Sequence, residues 1–220
     1  MAKKTAIPLE EPLLARGLGL DRVYIPTAAL TRLITTTGSL QPDDKRLLEQ
    51  VRNELVENAD SWNEEELKMQ FISMLMFLAH FERPIRTYYD REISATIDNN
   101  YIKCEADMLL AQGFGELIEI PYFFLHDDPP LRYKREKKYA GDPVGQMLAG
   151  MLVGQAKNNN GKPMYGCYVQ GRFWFFSVLE GRQYVVNRSF DATDEAVAEQ
   201  IVLILRNLKQ IILTELISKV

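Results

Sequence analysis

The fold is decided by residues 93–111, which read Ile-Ser-Ala-Thr-Ile-Asp-Asn-Asn-Tyr-Ile-Lys-Cys-Glu-Ala-Asp-Met-Leu-Leu-Ala. Ile93, Ala95 and Ile97 alternate with polar residues, which predicts a strand with one buried face. The Asp-Asn-Asn sequence that follows is a turn signal, and the largely apolar run after it predicts a second strand. This stretch therefore predicts a β-hairpin.

The segment before the hairpin has the pattern of a helix. Its apolar residues repeat every three or four positions from Leu67 to Leu78, and Pro84 follows. Asn63 and Glu66 have the spacing of a capping box, in which the two side chains bond each other's backbone N–H groups. We therefore expect a capped amphipathic helix.

The segments after the hairpin alternate between strands and helices. Residues 120–125 are continuously apolar, residues 143–155 have helical periodicity, strand patterns follow over 165–186, and a long amphipathic helix starts at Asp194. A helix between successive strands implies a crossover, so we expect an α/β fold with a mixed central β-sheet flanked by helices. Residues 1–40 lack sustained periodicity and are predicted to form an irregular N-terminal arm before a single domain over residues 41–220.

Composition narrows the class of protein. The net charge of −4 argues against a protein that coats nucleic acid through charge alone, although residues 132–138 form a local basic run. No window approaches the ~20 apolar residues of a membrane span, so we expect a cytoplasmic protein with no membrane partner. Cys104 and Cys167 lack the spacing of a zinc site and are predicted to be small buried residues.

Asp107 is the first candidate for chemistry, because it lies inside the second predicted strand of the hairpin. An acid at the centre of a strand loses hydration, and this loss is unfavourable unless the acid binds a cation or accepts good hydrogen bonds. A solvated face of an edge hairpin is the alternative interpretation. His126, at the end of the next predicted strand, is interpreted as a hydrogen-bonded structural residue rather than a general base.

An ordered set of short motifs over residues 60–212 resembles the PD-(D/E)XK, or restriction-endonuclease-like, superfamily. Within it, the chain is most similar to uncharacterised bacterial proteins related to the nuclease region of type I restriction subunits. The set comprises Glu64, Asp107, the buried strand at 120–126, Tyr133-Lys134-Arg135-Glu136, Asp142-Pro143-x-x-Gln146, and Tyr165-Gly166-Cys167-Tyr168-x-x-Gly171-Arg172-x-Trp174.

The resemblance implies a restriction-endonuclease-like core and a site for Mg²⁺ or Mn²⁺. In such nucleases an acid on the second strand, and an acid two residues before a lysine on the third, bind the metal that activates water. Asp107 matches the first acid and Lys134 the lysine. Glu64 matches a helical glutamate that supports the metal, and Gln146 matches a glutamine that faces the site.

One expected acid is displaced or missing. The residue two before Lys134 is Arg132, which cannot bind a metal, so Asp127 or Asp128 is predicted to replace the absent ligand. Glu136, beyond the lysine, is the alternative replacement. The leading hypothesis is a Mg²⁺-dependent DNA endonuclease. The alternative is a catalytically inactive module of the same fold that binds nucleic acid or protein. A third hypothesis is an unrelated α/β interaction domain in which the motif match is coincidental. The long C-terminal helix is a candidate surface for a homodimer.

Overall fold

A computed structural model describes residues 6–128 and 142–217. Within them the helices are α1 (Glu11–Leu18), α2 (Ala28–Ile34), α3 (Pro42–Asn58), α4 (Glu64–Leu67), α5 (Ser73–Leu78), α6 (Pro143–Asn158) and α7 (Glu195–Ile211). A π-helical turn, Lys68–Ile72, joins α4 to α5, and a second one, Ile212–Leu216, follows α7. In this part of the chain, no helix is both long and apolar enough to cross a membrane.

The described strands form one mixed sheet with the order β1-β7-β6-β5-β4-β3-β2, and β8 pairs with β6. The strands are β1 (Asp21–Arg22), β2 (Arg86–Ile97), β3 (Asn100–Phe114), β4 (Leu117–Asp128), β5 (Met164–Gln170), β6 (Phe173–Glu180), β7 (Gln183–Val186) and β8 (Phe190–Asp191). Strands β2, β3 and β4 are antiparallel neighbours, whereas β5 runs parallel to β4 after the crossover through α6. The predicted mixed sheet flanked by helices is confirmed.

The two sheet faces are covered by different helices. On one face, α2, α3, α5 and α7 pack over a large core that contains Phe71, Trp174 and Phe176. On the other face, α6 lies so close to β4 that a Cβ atom added at Gly150 or Gly154 would come within 2.9 or 2.6 Å of the Phe124 ring. Glycine at these two positions therefore sets the approach of α6 to the strand.

The structure bears on three further predictions, about the N-terminal arm, the C-terminal helix and the cysteines. The prediction of an irregular arm over residues 1–40 is wrong for its described part, because α1, β1 and α2 form there and Leu30 and Leu33 lie in the main core. The apolar side of α7 packs inside the chain's own core, so a homodimer through that side is not supported. The expected burial of both free cysteines, Cys104 and Cys167, is confirmed.

Candidate active site

A cluster of charged side chains lies where β3 and β4 stop pairing. The antiparallel ladder between them runs from Phe114–Leu117 to Met108–Leu125, and β4 then continues in parallel register with β5 alone. The backbone N–H of Asp127 donates instead to Oδ2 of Asp107, at 2.9 Å. The Asp107 carboxylate thus replaces a strand acceptor, as a buried backbone donor requires.

The neighbouring strand β2 is irregular at the same level. Asp90 has φ of 49°, in the left-handed region that a strand residue rarely adopts. Tyr88 and Ile93 both pack on the α6 side of the sheet although five positions separate them, so the side-chain alternation changes phase between them. This phase change accompanies the turn of the Asp90 carboxylate toward the helices that precede β2.

The helix before the sheet supplies a buried lysine. Asn63 and Glu66 form the predicted capping box at the start of α4, and the π-helical turn begins at Lys68. Single π-helical turns inside helices occur frequently at functional sites. The hydroxyl of Ser73 donates to the Lys68 carbonyl at 2.6 Å, which anchors this irregular turn, and the Lys68 residue is only 6% exposed.

The Lys68 ammonium lies among three aspartates. Its Nζ atom is 3.1 Å from Asp90 Oδ1, 3.8 Å from Asp127 Oδ1 and 4.0 Å from Asp107 Oδ1. Glu64, one helical turn before Lys68, is close enough to raise the pKa of Asp127. The exposed Glu65 of α4 also lies 3.7 Å from Nζ, through its Oε1 atom. Carboxylates from α4, β2, β3 and β4 therefore surround one lysine.

His126 contacts the cluster from β4. Its Nδ1 atom is 2.5 Å from Oδ2 of Asp107, a close contact in which the two groups are not aligned for a straight hydrogen bond. The histidine thus has a polar partner within the cluster. It lies in register with Tyr168 of β5, which stacks on Phe175 of β6 at a ring-centroid distance of 4.3 Å.

The two buried aspartates have opposite electrostatic environments. Burial raises the pKa of Asp127 to about 8, and the neighbouring Asp107 carboxylate adds to this rise more than Lys68 offsets it. Burial also acts to raise the pKa of Asp107, but His126, the Asp127 N–H and Lys68 outweigh it and lower the pKa. The pair therefore retains one proton at neutral pH, as closely spaced carboxylates do.

The buried acids of this cluster offer oxygen atoms, the ligand type that hard cations prefer. The Asp127 residue is only 1% exposed, and neither of its buried carboxylate oxygens has a hydrogen-bond partner. Mg²⁺ is bound through one or two carboxylates, with water and substrate phosphate completing its octahedron. Over residues 6–128 and 142–217 no set of three histidine, cysteine or acidic side chains is already arranged around a metal position. The protein's contribution would therefore come from Asp107 and Asp127.

The structure brings together three of the residues predicted for the site, namely Asp107, Asp127 and Glu64. Gln146 lies instead beside a cavity whose lining includes Leu9 and Glu10 but neither of the two aspartates. Asp128 ends β4, and its side chain lies outside the description.

Lys134 falls outside the described residues, so its predicted role at the water stays a prediction. Sequence reasoning missed Lys68. Its signal was the spacing of Glu64, Lys68 and Phe71, which puts a lysine on the buried stripe of an amphipathic helix.

No protein-family model matches the chain, and none of the curated proteins compared with it is a significant match. Evidence on function therefore comes from the geometry of the cluster. That geometry combines a carboxylate pair with orphaned oxygens, a fixed ammonium and a histidine, at a point where the sheet opens. Such a set can bind a divalent cation and a negatively charged oxygen ligand.

Proposed function

We propose that this protein is a Mg²⁺- or Mn²⁺-dependent phosphodiesterase that acts on DNA, with a restriction-endonuclease-like core. The observation that carries the proposal is the convergence of Asp107 and Asp127 on one buried ammonium, with both Asp127 oxygens unsatisfied. Buried carboxyl groups whose oxygens accept no hydrogen bond are unfavourable for folding, and the ammonium at 3.8 Å from Asp127 offsets only part of this cost. A cluster with this cost is expected to have a function that requires it.

The positions of the two acids support the resemblance to PD-(D/E)XK nucleases. Asp107 lies on the second and Asp127 on the third strand of the antiparallel set β2, β3 and β4. These are the strands on which that resemblance expects the two metal-binding acids. Asp127 is accordingly the replacement for the missing acid.

In the proposed site Lys68 supplies an ammonium group beside the two acids. The residue two after Asp127 is Pro129, which has no amino group. The Lys68 ammonium reaches the same carboxylates from the preceding helix. Burial acts to lower the pKa of Lys68, but Asp127, Asp90 and Asp107 together raise it, so the lysine is charged at neutral pH.

In the proposed reaction each side chain has a distinct task. The cation that Asp107 and Asp127 would hold supplies Lewis-acid activation of the phosphate and lowers the pKa of bound water. Lys68 places a fixed positive charge where the phosphate's negative oxygens develop charge. His126 helps to keep Asp107 ionised, and Asp107 holds the end of β4 through the Asp127 N–H.

One observation favours a second candidate, a catalytically inactive binding module. The Lys68 ammonium already compensates part of the carboxylate charge without a metal, as in a cluster that has become structural. In that case the protein would be stable and would cleave nothing. The two candidates predict opposite outcomes in a direct cleavage assay.

The test is cleavage of single-stranded, duplex and supercoiled DNA in Mg²⁺ or Mn²⁺. We expect Asp107→Asn and Asp127→Asn to lose at least about a hundredfold in rate, since even outer-shell changes cost 10–100-fold at metal sites. Asp60→Asn, an exposed aspartate, is the matched control and should cleave like wild type. Folded wild type that cleaves no DNA with either metal would favour the inactive module, and full activity in Asp107→Asn would place the chemistry elsewhere.

A further inference from the structure

An aromatic groove lies between α5 and β2. Its cavity has a volume of 360 Å³, and its lining includes Ser73, Phe77, His80, Glu82, Thr87 and Tyr89. The groove combines ring faces with hydroxyl and carboxylate groups. Small-ligand sites have the same combination of apolar surface and a few polar groups.

Two residues of this groove lie next to residues of the carboxylate cluster. Tyr89 immediately precedes Asp90, whose carboxylate bonds Lys68. Ser73 lines the groove and donates its hydroxyl proton to the Lys68 carbonyl at 2.6 Å. A strand advances about 3.3 Å per residue, so the nearer end of the groove begins within a few ångströms of the Asp90 backbone. One extended ligand can therefore contact both places.

The rings of the groove are exposed far more than folding alone favours. Phe77 is 65% exposed and Tyr89 is 44% exposed, and Met69, beside Lys68, is 65% exposed. The rings of Phe77 and His80 lie 6.4 Å apart at an angle of 58°, so their faces are not stacked on each other. Single exposed apolar residues are common on protein surfaces, whereas a group of them marks an interaction site. The exposed rings of this groove therefore indicate a binding surface.

The charge of the groove does not oppose an anionic ligand. Its carboxylate, Glu82, is paired with Lys209 at 2.6 Å between Oε1 and Nζ. The hydroxyls of Ser73 and Thr87 add neutral polar groups that can donate or accept hydrogen bonds. Ring faces with such groups are suited to nucleobases, which offer both a π-face and hydrogen-bonding edges.

We infer that this groove binds an unpaired nucleobase of the DNA strand whose phosphodiester reaches Asp107 and Asp127. The inference rests on the proposed function and specifies its substrate as a single-stranded or unpaired segment. In a duplex the bases stack on one another and offer no free face to Phe77 or Tyr89. An unpaired base has a free face for Phe77 or for Tyr89, and each such contact stabilises binding by about 1–3 kcal/mol.

The experiment measures binding without catalysis. A fluorescein-labelled oligothymidylate and a duplex of equal length are titrated with the full chain in EDTA, and fluorescence anisotropy gives Kd. Phe77→Ala and Tyr89→Ala should each weaken oligothymidylate binding at least about fivefold, the lower bound of one lost stacking contact. Tyr89→Phe keeps the ring and should bind like wild type.

The matched control is Phe114→Ala, which removes another exposed ring, 81% exposed, at the C-terminal end of β3 and outside the groove lining. Single-strand preference, with losses in Phe77→Ala and Tyr89→Ala alone, supports the inference even if the protein cleaves nothing, so failure of the proposed function is recognised separately. Equal affinity for duplex, unchanged affinity in both alanine variants, or no binding of oligothymidylate would overturn it. Circular dichroism and thermal melting establish that each variant is folded.

Discussion

Replacing Asp127 by asparagine should change how the stability of the protein depends on pH. In EDTA the buried Asp127 carboxyl keeps its proton up to about pH 8, whereas in the unfolded chain it ionises near its ordinary pKa of 3.8. Between these values the folded state binds more protons than the unfolded state. Stability from this group is therefore complete below about pH 4 and is lost as pH rises toward 8.

The magnitude follows from the size of the pKa shift. Each pH unit of difference corresponds to about 1.4 kcal/mol, so about four units give roughly 6 kcal/mol of pH-dependent stability. Between pH 5 and pH 8 the loss of folding stability from this group is about 4 kcal/mol. Because asparagine resembles the protonated acid in shape and cannot ionise, Asp127→Asn should lack this component. The free energy of unfolding of the variant, relative to that of wild type, should therefore increase by about 1.4 kcal/mol for each pH unit across that range.

Urea denaturation at pH 5, 6, 7 and 8 measures this difference. With a slope of about 2 kcal/mol per molar urea, the midpoint of the variant should rise relative to wild type by about 2 M over the range. Asp60→Asn, an exposed aspartate, should follow the wild-type profile. Parallel pH profiles for wild type and Asp127→Asn would refute the reasoning, because they would show that Asp127 is already ionised in the fold.

Three further changes test the packing around the site. Lys68→Met leaves the carboxylates without their ammonium and should lower the free energy of unfolding at pH 8 by about 3–5 kcal/mol, with Mg²⁺ restoring part of the loss in a thermal melt. Phe71→Ala removes a fully buried ring that contacts Trp174 edge-on and should cost about 3–5 kcal/mol in urea denaturation, and a loss below 1 kcal/mol would contradict this packing. Asn63→Ala removes the α4 cap and should cost about 1 kcal/mol by the same measurement, whereas an unchanged midpoint would show that the cap does not form in solution.

The hairpin and the position of Asp107 could be predicted because they depend on local pattern. Alternation over residues 93–111 fixes two strands, and a charged residue within the second stands out from its neighbours. The same alternation predicted β2 to start at Ile93, although the strand begins at Arg86. The phase change around Asp90 hides the first half of the strand, since a left-handed residue breaks the period of two without leaving a glycine as a signal.

The lysine of the site could not be predicted from a motif, because its position depends on tertiary structure. Lys68 lies 33 positions before Tyr101, where the predicted acid-containing strand begins. Only the packing of its helix on the sheet brings it to Asp107. The π-helical turn that begins at Lys68 also shifts the helical face in a way that a regular period does not anticipate. His126 was interpreted as structural because a single histidine carries no spacing information.

The most direct test of the account is Mn²⁺ binding at pH 8, followed by the loss of the free-ion signal in electron paramagnetic resonance. We predict that wild type and Asp60→Asn bind the ion, while Asp107→Asn and Asp127→Asn bind it at least about tenfold more weakly, as for disrupted metal sites. Equal Mn²⁺ affinity in all four proteins would contradict the assignment of the metal to Asp107 and Asp127.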